Sequence, residues 1–166
     1  MSINEKVSKL LNDQINSEMT AGYVYLDMAA YFERMELPGF ASWFKAHSKE
    51  ESDHAMRIFD FLAIRSNKIK LEGINKPAYD YSSPEAALEI AVTMEKGVTN
   101  AIHNLFEVAH EVKEYGTQNM LHWFLDEQIK EEHLFGHILD QVKAAGDNRW
   151  HMLQLDKQMA AGGVDQ

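Results

Sequence analysis

The chain has 166 residues, of which 45% are hydrophobic and three are proline, a composition typical of a globular helical domain. Acidic residues outnumber basic ones by 26 to 16, so nucleic acid is not an expected partner. The absence of cysteine excludes disulfides, thiolate zinc sites and a cysteine nucleophile. No apolar run approaches the ~18 residues of a membrane span, and residues 1–6 resemble no secretory signal. We therefore expect a cytoplasmic protein that binds neither nucleic acid nor membrane.

Hydrophobic periodicity and terminal signals predict four long helices and a short fifth one. The first is predicted from Ser2, which forms a capping box with Glu5, to Met35. The second is predicted over Pro38–Asn67. The third begins after Ser83-Pro84-Glu85 and ends near Glu114, the fourth follows Gly116-Thr117 and ends at Gly146, and the fifth covers Asn148–Ala161. We expect one domain over 1–162, with a four-helix bundle over 2–146, a fifth helix over 148–161 and a short tail at 163–166.

The connections between the helices predict the topology. Those after the first and third helices are only a few residues long, which favours two antiparallel hairpins. The connection between the second and third helices, Lys68–Ser82, is much longer. A helix of ~28 residues is ~42 Å long, and ~15 extended residues span up to ~50 Å. This segment can therefore cross the whole bundle, which makes the second and third helices parallel.

Each long helix carries an apolar stripe that polar residues interrupt near its middle. The interruptions are Gln14 and Glu18 in the first helix, His47, Glu51 and His54 in the second, Glu95 in the third, and Gln128 and Glu131 in the fourth. His47 is interpreted as a packed or hydrogen-bonded histidine. The spacing from Glu18 to Glu51 equals that from Glu95 to Gln128, which suggests two related hairpins. All the interruptions can therefore share one layer of the bundle.

Burial of this layer indicates a metal site. Four carboxylates, those of Glu18, Glu51, Glu95 and Glu131, share the layer, and the central stripes contain no lysine or arginine. Each unpaired buried charge costs several kcal/mol, whereas two divalent cations balance four carboxylates. The i, i+3 pairs Glu51/His54 and Gln128/Glu131 can each reach a common ion. Oxygen ligands with an imidazole suit iron or manganese, and zinc less specifically.

Four segments carry a resemblance to a known family, and the resemblance covers nearly the whole chain. They are Asn16-Ser17-Glu18, Glu50-Glu51-Ser52-Asp53-His54-Ala55, Met94-Glu95 and Trp123-Phe124-Leu125-Asp126-Glu127-Gln128. With these segments the chain resembles the non-haem bacterial and archaeal ferritins. The resemblance implies a ferritin-like bundle, oxidation of Fe(II) by O2 at a di-iron centre, and storage of ferric mineral inside a homo-oligomeric shell, usually of 24 subunits.

The resemblance also implies roles for individual residues. One iron position uses Glu18, Glu51 and His54. The other shares Glu51 as a bridge and adds Glu95 and Glu131, with Gln128 close by as a ligand or an outer contact. Tyr25 matches a tyrosine beside this centre and serves either packing or a redox or hydrogen-bonding role.

Two departures from related patterns refine the expectation. Haem-binding relatives carry methionine where this chain has Ser52, so we expect no haem. Related bacterial ferritins often bind a third iron through three glutamates. Glu50 and Glu127 match two of these, but Lys130 occupies the third position. A lysine removes a ligand and adds a repelling charge, so we expect this third site to be weak or absent.

Two other functions are compatible with a polar layer in a bundle. The chain could form a cage that holds metal without a fast oxidase step. It could also be a purely structural bundle in which the polar layer only selects one packing arrangement of the helices. That function requires basic residues on the stripes to pair with the buried carboxylates. The complete ligand set favours an oxidising and storing protein.

Overall fold

The computed structural model describes residues 3–162, which form five α-helices. These are α1 (Glu5–Arg34), α2 (Pro38–Ile64), α3 (Pro84–Glu111), α4 (Tyr115–Ala145) and α5 (Arg149–Ala160). The predicted all-helical fold is confirmed, with helix ends that differ from prediction by up to three residues. The predicted tail at 163–166 lies outside the described residues. Within residues 3–162, no helix is long and apolar enough to cross a membrane.

Side-chain caps begin three of the helices. The capping residues are Asn4, Ser83 and Asn148, whose oxygens accept backbone hydrogen bonds of 3.0, 3.0 and 3.1 Å. Such caps satisfy amides that lack a partner in the first turn. The first helix therefore begins at Glu5, later than predicted, and the predicted cap Ser2 lies outside the described residues.

Three long helices end in a left-handed residue that is not glycine. These residues are Glu36, Ser66 and Lys113, with φ of 56°, 53° and 58°. In each case the following amide donates to a carbonyl five residues back, which closes the helix end. The predicted ends at Asn67 and Glu114 are therefore wrong by three residues, because no glycine signals the turn.

The connection between α2 and α3 runs along α1. At its start, Asn12 donates to the Lys68 carbonyl at 3.2 Å and accepts from the Lys70 amide at 2.6 Å. Near its end, the Tyr81 hydroxyl donates to Asp27 at 2.9 Å. The segment thus follows α1 over about four helical turns. The predicted long crossover, with α2 parallel to α3, is confirmed.

The core consists of two apolar clusters on either side of a polar layer. The first includes Tyr25, Phe32, Phe44, Phe135 and Ile138, and the second includes Leu11, Ile15, Ile58, Ile102 and Phe124. All the polar residues predicted to interrupt the stripes are buried, and apart from Gln14, which adjoins Ile15 of the second cluster, they lie between the two clusters along each helix. The fold therefore encloses the polar layer at mid-bundle.

Helix α5 packs against the beginning of α2. The buried Asp156 carboxylate accepts a hydrogen bond of 2.9 Å from the Phe40 amide, in the first turn of α2. A carboxylate at this position also interacts favourably with the helix dipole. Gly39 permits the approach, since a Cβ there would lie 1.8 Å from the Asp156 carbonyl oxygen. This contact fixes the short helix beside the first apolar cluster.

Candidate metal centre

Four carboxylates, one from each long helix, meet in the polar layer. Glu18, Glu51, Glu95 and Glu131 are only 1–5% exposed. Within residues 3–162, no lysine or arginine nitrogen lies within 4.0 Å of any of them, and the imidazoles at that range are those of His47 and His54. The predicted cluster of buried acids without basic partners is therefore present.

Burial and mutual repulsion make Glu18, Glu51 and Glu95 weak acids. Burial and then the charge of Glu51 raise the pKa of Glu18 well above its ordinary value. Burial and the charge of Glu95 raise the pKa of Glu51 to about 8. Burial raises the pKa of Glu95 to about 7, although a hydrogen bond from Tyr25 opposes the rise. The carboxylates are thus costly to ionise together unless a cation joins them.

Hairpin α1/α2 supplies one compact group of possible ligands. Ligand atoms of Glu18, Glu51 and His54 all lie within 4.8 Å of one another, and His54 Nδ1 is 3.3 Å from Glu51 Oε2. The two helices approach closely here because of Gly22, where a Cβ would lie 2.9 Å from the Ser48 carbonyl oxygen. The structure therefore brings together three of the residues predicted from the sequence.

Glu95, on α3, is held through hydrogen bonds from both hairpins: from Tyr25 on α1 and from Gln128 on α4. The Tyr25 hydroxyl donates to Glu95 Oε1, and Gln128 Nε2 donates to Glu95 Oε2 at 3.2 Å. Gln128 Nε2 also lies 3.2 Å from the Glu95 carbonyl and 3.3 Å from Thr99 Oγ1. Glu95 joins no three-residue ligand group among the described residues. Gln128 and Tyr25 thus contact a candidate ligand directly and orient its carboxylate.

His47 borders the candidate site, whereas the sequence indicated a packed or hydrogen-bonded histidine. Its ring lies against Trp43, while Nε2 is 3.5 Å from Glu50 Oε2 and 3.6 Å from Glu131 Oε2. Burial lowers the pKa of His47, but Glu131 and Glu50 outweigh burial and leave the pKa raised. Its position one turn before Glu51 on the same stripe was the available signal.

Glu50 and Glu127 lie at the outer edge of the layer. Both line a cavity of about 580 Å³ with His47, Lys130 and Glu131. They belong to different groups of possible ligands: Glu50 groups with His47 and Glu131, and Glu127 with His54 and Glu131. Lys130 Nζ lies 3.0 Å from Glu127 Oε2. The lysine therefore occupies one oxygen of a predicted third-site ligand.

The donor set fits metal ions. Glu18 Oε2 and Glu131 Oε2 are buried and have no hydrogen-bond partner among the described residues. Such unpaired buried oxygens are costly in a purely structural layer. Carboxylate oxygens with one or two imidazoles suit iron and manganese. The arrangement can therefore hold divalent ions between the two hairpins.

Comparison with known proteins agrees with this architecture. Residues 8–145 match the family model for the ferritin-like domain. The chain is 31% identical to the bacterial non-heme ferritin of Staphylococcus aureus, with 99% of each chain covered, and 32% identical to that of Staphylococcus saprophyticus, with 99% of this chain and 98% of that protein covered. An open pore ferritin from the archaeon Archaeoglobus fulgidus superimposes with a TM-score of 0.95 at 37% identity over the full length of both chains. The chain therefore belongs to the ferritin family.

Proposed function

We propose that this chain is a ferroxidase and iron-storage ferritin subunit. Its substrates are Fe(II) and O2, and its product is ferric mineral held inside a hollow shell. The single observation that carries the proposal is the layer of four buried carboxylates, two of which have unpaired oxygens. Family membership supports the same conclusion, since the staphylococcal relatives are named non-heme ferritins.

One Fe(II) ion is proposed to bind Glu18, Glu51 and His54. The ligand atoms of these residues already lie within 4.8 Å of one another, so little rearrangement is needed. His54 adds a neutral nitrogen donor to two carboxylates. Its ring packs edge-on against Trp123, with centroids 5.3 Å apart, which restricts its orientation.

The second Fe(II) ion is proposed to bind Glu95 and Glu131 and to share Glu51. The pKa of Glu51 responds to the charges of both Glu95 and Glu131, which supports a position between the two groups. Binding of Fe(II) displaces protons from Glu51 and Glu95, whose pKa values are raised, because the ligating form is the carboxylate. Each Fe(II) ion gives up one electron, and O2 accepts the electrons.

Tyr25 and Gln128 are proposed to hold Glu95 ready for this second ion. Together they contact both carboxylate oxygens of Glu95. Each oxygen keeps a second lone pair for a metal ion. This supports an outer-contact role for Gln128 and a hydrogen-bonding role for Tyr25.

A homo-oligomeric shell of 24 subunits and a cytoplasmic location are part of the same proposal, as is one domain over 1–162. Large apolar side chains exposed on the single chain, such as Leu26, Ile64 and Ile129, support contact with further copies. Analytical ultracentrifugation tests the shell: an assembly of about 24 chains is expected, and a monomer at all concentrations contradicts it.

Oxygen uptake after addition of Fe(II) to the metal-free protein tests the oxidase step. We expect Glu51→Gln and His54→Ala to slow uptake strongly, because each removes a ligand of the proposed centre. Glu107→Gln and His103→Ala are matched controls, since both residues are exposed on α3. Uptake at the wild-type rate in both site variants would show that the buried layer is not the oxidase centre. Iron binding without uptake in the wild type would instead indicate a cage that only holds metal.

A further inference from the structure

Helix α4 carries three histidines that the proposed iron centre does not use, and two of them form a pair. His133 and His137 are four residues apart, so they project from the same face of the helix. Their ring centroids are 6.4 Å apart, and their planes differ by only 16°. His133 is exposed and His137 is half-buried. Two imidazoles are thus presented side by side to solvent.

One member of the pair lies at the cavity that borders the carboxylate layer. His133 lines this cavity of about 580 Å³ together with His47, Glu50 and Glu131. An ion bound at His133 would therefore lie at the edge of a cavity that two acids of the site also line. The acidic walls favour the local accumulation of cations.

The helix surface between the two rings is open. Gly136 separates them in sequence, and a Cβ at this position would meet no atom within 4 Å outside its own helical surroundings. The basic residue one turn before His133 is Lys130, whose Nζ lies 3.0 Å from Glu127 Oε2. The helix surface beside the pair is therefore open at Gly136, and Lys130 is engaged with Glu127.

Imidazoles select different ions from those that a carboxylate layer selects. Two histidines at i, i+4 on a helix are a known arrangement for holding zinc. Nitrogen donors favour Co(II), Ni(II), Cu(II) and Zn(II) over Fe(II), in rising order up to copper. The site at His133 and His137 should therefore discriminate against the iron that suits the buried layer.

We propose that His133 and His137 form a second metal site, the imidazole site, which captures Zn(II) or a related late first-row divalent ion at the mouth of the cavity. Both histidines bind through a ring nitrogen, and water completes the coordination. The imidazole site does not depend on the proposed oxidation of Fe(II), so its test uses other ions.

Isothermal titration of the metal-free protein with Zn(II) counts the sites. The double variant His133→Gln/His137→Gln is expected to bind one zinc ion fewer per chain than the wild type. Each single variant is expected to lose the same site, because one exposed imidazole binds weakly. Electron paramagnetic resonance with Cu(II) gives a second readout: the nitrogen hyperfine pattern of two imidazoles is expected in the wild type and absent in the double variant.

The control is His103→Gln/His110→Gln, which also removes two exposed histidines from a long helix. These lie seven residues apart, or about 10.5 Å along the helix axis, so they cannot share an ion as easily. The control is expected to keep the wild-type count. Equal zinc binding in wild type and in the 133/137 variant, or equal loss in the control, overturns the imidazole site without bearing on iron oxidation.

Discussion

The metal-free protein should lose stability as the pH rises, and Glu51→Gln should remove much of that loss. The pKa of Glu51 rises from about 4.5, its ordinary value, to about 8 in the folded chain. The folded state therefore binds the proton more tightly than the unfolded state does. The contribution of protonated Glu51 to the unfolding free energy is fully present below about pH 4.5. It is lost progressively as the pH rises toward 8.

Each pH unit in this window corresponds to about 1.4 kcal/mol. From pH 4.5 to 7.5 the unfolding free energy should thus fall by on the order of 4 kcal/mol on account of Glu51. Glutamine keeps the size of the side chain but cannot ionise. At pH 7.5 the metal-free Glu51→Gln variant should therefore be more stable than the wild type by up to that amount, and the advantage should vanish near pH 4.5.

Guanidinium unfolding of chelator-treated protein at several pH values measures this difference. Glu107→Gln, a change at an exposed glutamate on α3, should leave the slope unchanged. Added Zn(II) or Mn(II) should reverse the order, because the wild type gains binding energy that the variant lacks. If the unfolding free energies of metal-free wild type and Glu51→Gln change equally with pH, the raised pKa of Glu51 is not the cause of the loss of stability.

Three further substitutions test other parts of the structure. Lys130→Glu should create a third iron position beside Glu127, because it replaces a cation by a ligand; anomalous diffraction from iron-soaked crystals would detect the added ion. Gly39→Ala should lower the unfolding free energy by about 1–3 kcal/mol, since its Cβ collides with the Asp156 carbonyl. Lys113→Gly should raise the unfolding free energy by about 1 kcal/mol, because glycine adopts the left-handed backbone at this position without a Cβ clash. Chemical unfolding measures the last two.

Matched controls exist for each of these changes. Lys96→Glu adds the same charge on an exposed part of α3 and should add no iron position. Gly97→Ala, where a Cβ meets nothing within 4 Å, should stabilise the protein by about 0.5–1 kcal/mol. Lys96→Gly, inside α3, should destabilise it by about 1 kcal/mol. A well-occupied third iron in the wild type at Glu50 and Glu127 would contradict the role given to Lys130.

Periodicity alone predicted the helices and the polar layer, because helical spacing and burial impose the same pattern on the sequence. Glu18, Glu51, Glu95 and Glu131 each stand where an apolar residue is expected, which is why the layer was visible without a structure. The path of the crossover along the bundle likewise followed from the span of an extended chain of that length. These features depend on local spacing and on the cost of burying charge.

Features that depend on packing between distant segments were not predictable in this way. Asp156 lies 116 residues after Phe40, and nothing near either residue signals their hydrogen bond. His47 has no carboxylate in its own preceding turn, and its contact with Glu131 depends on how α2 and α4 pack. The left-handed backbone conformation at three helix ends was not predictable either, since none of these residues is glycine.

The polar layer divides the proposed ligands between the two hairpins, and this division has a consequence for assembly of the chain. Hairpin α1/α2 contributes Glu18, Glu51 and His54, and hairpin α3/α4 contributes Glu95 and Glu131. Neither half contains a complete set, and only the crossover connects the halves covalently. A bound pair of ions would act as a cross-link between two halves that otherwise adhere through apolar contacts and through polar ones such as the Tyr25–Glu95 hydrogen bond. The centre would then bind ions tightly only when the two hairpins are packed together. The iron supply would therefore affect the stability of the folded chain as well as the rate of oxidation.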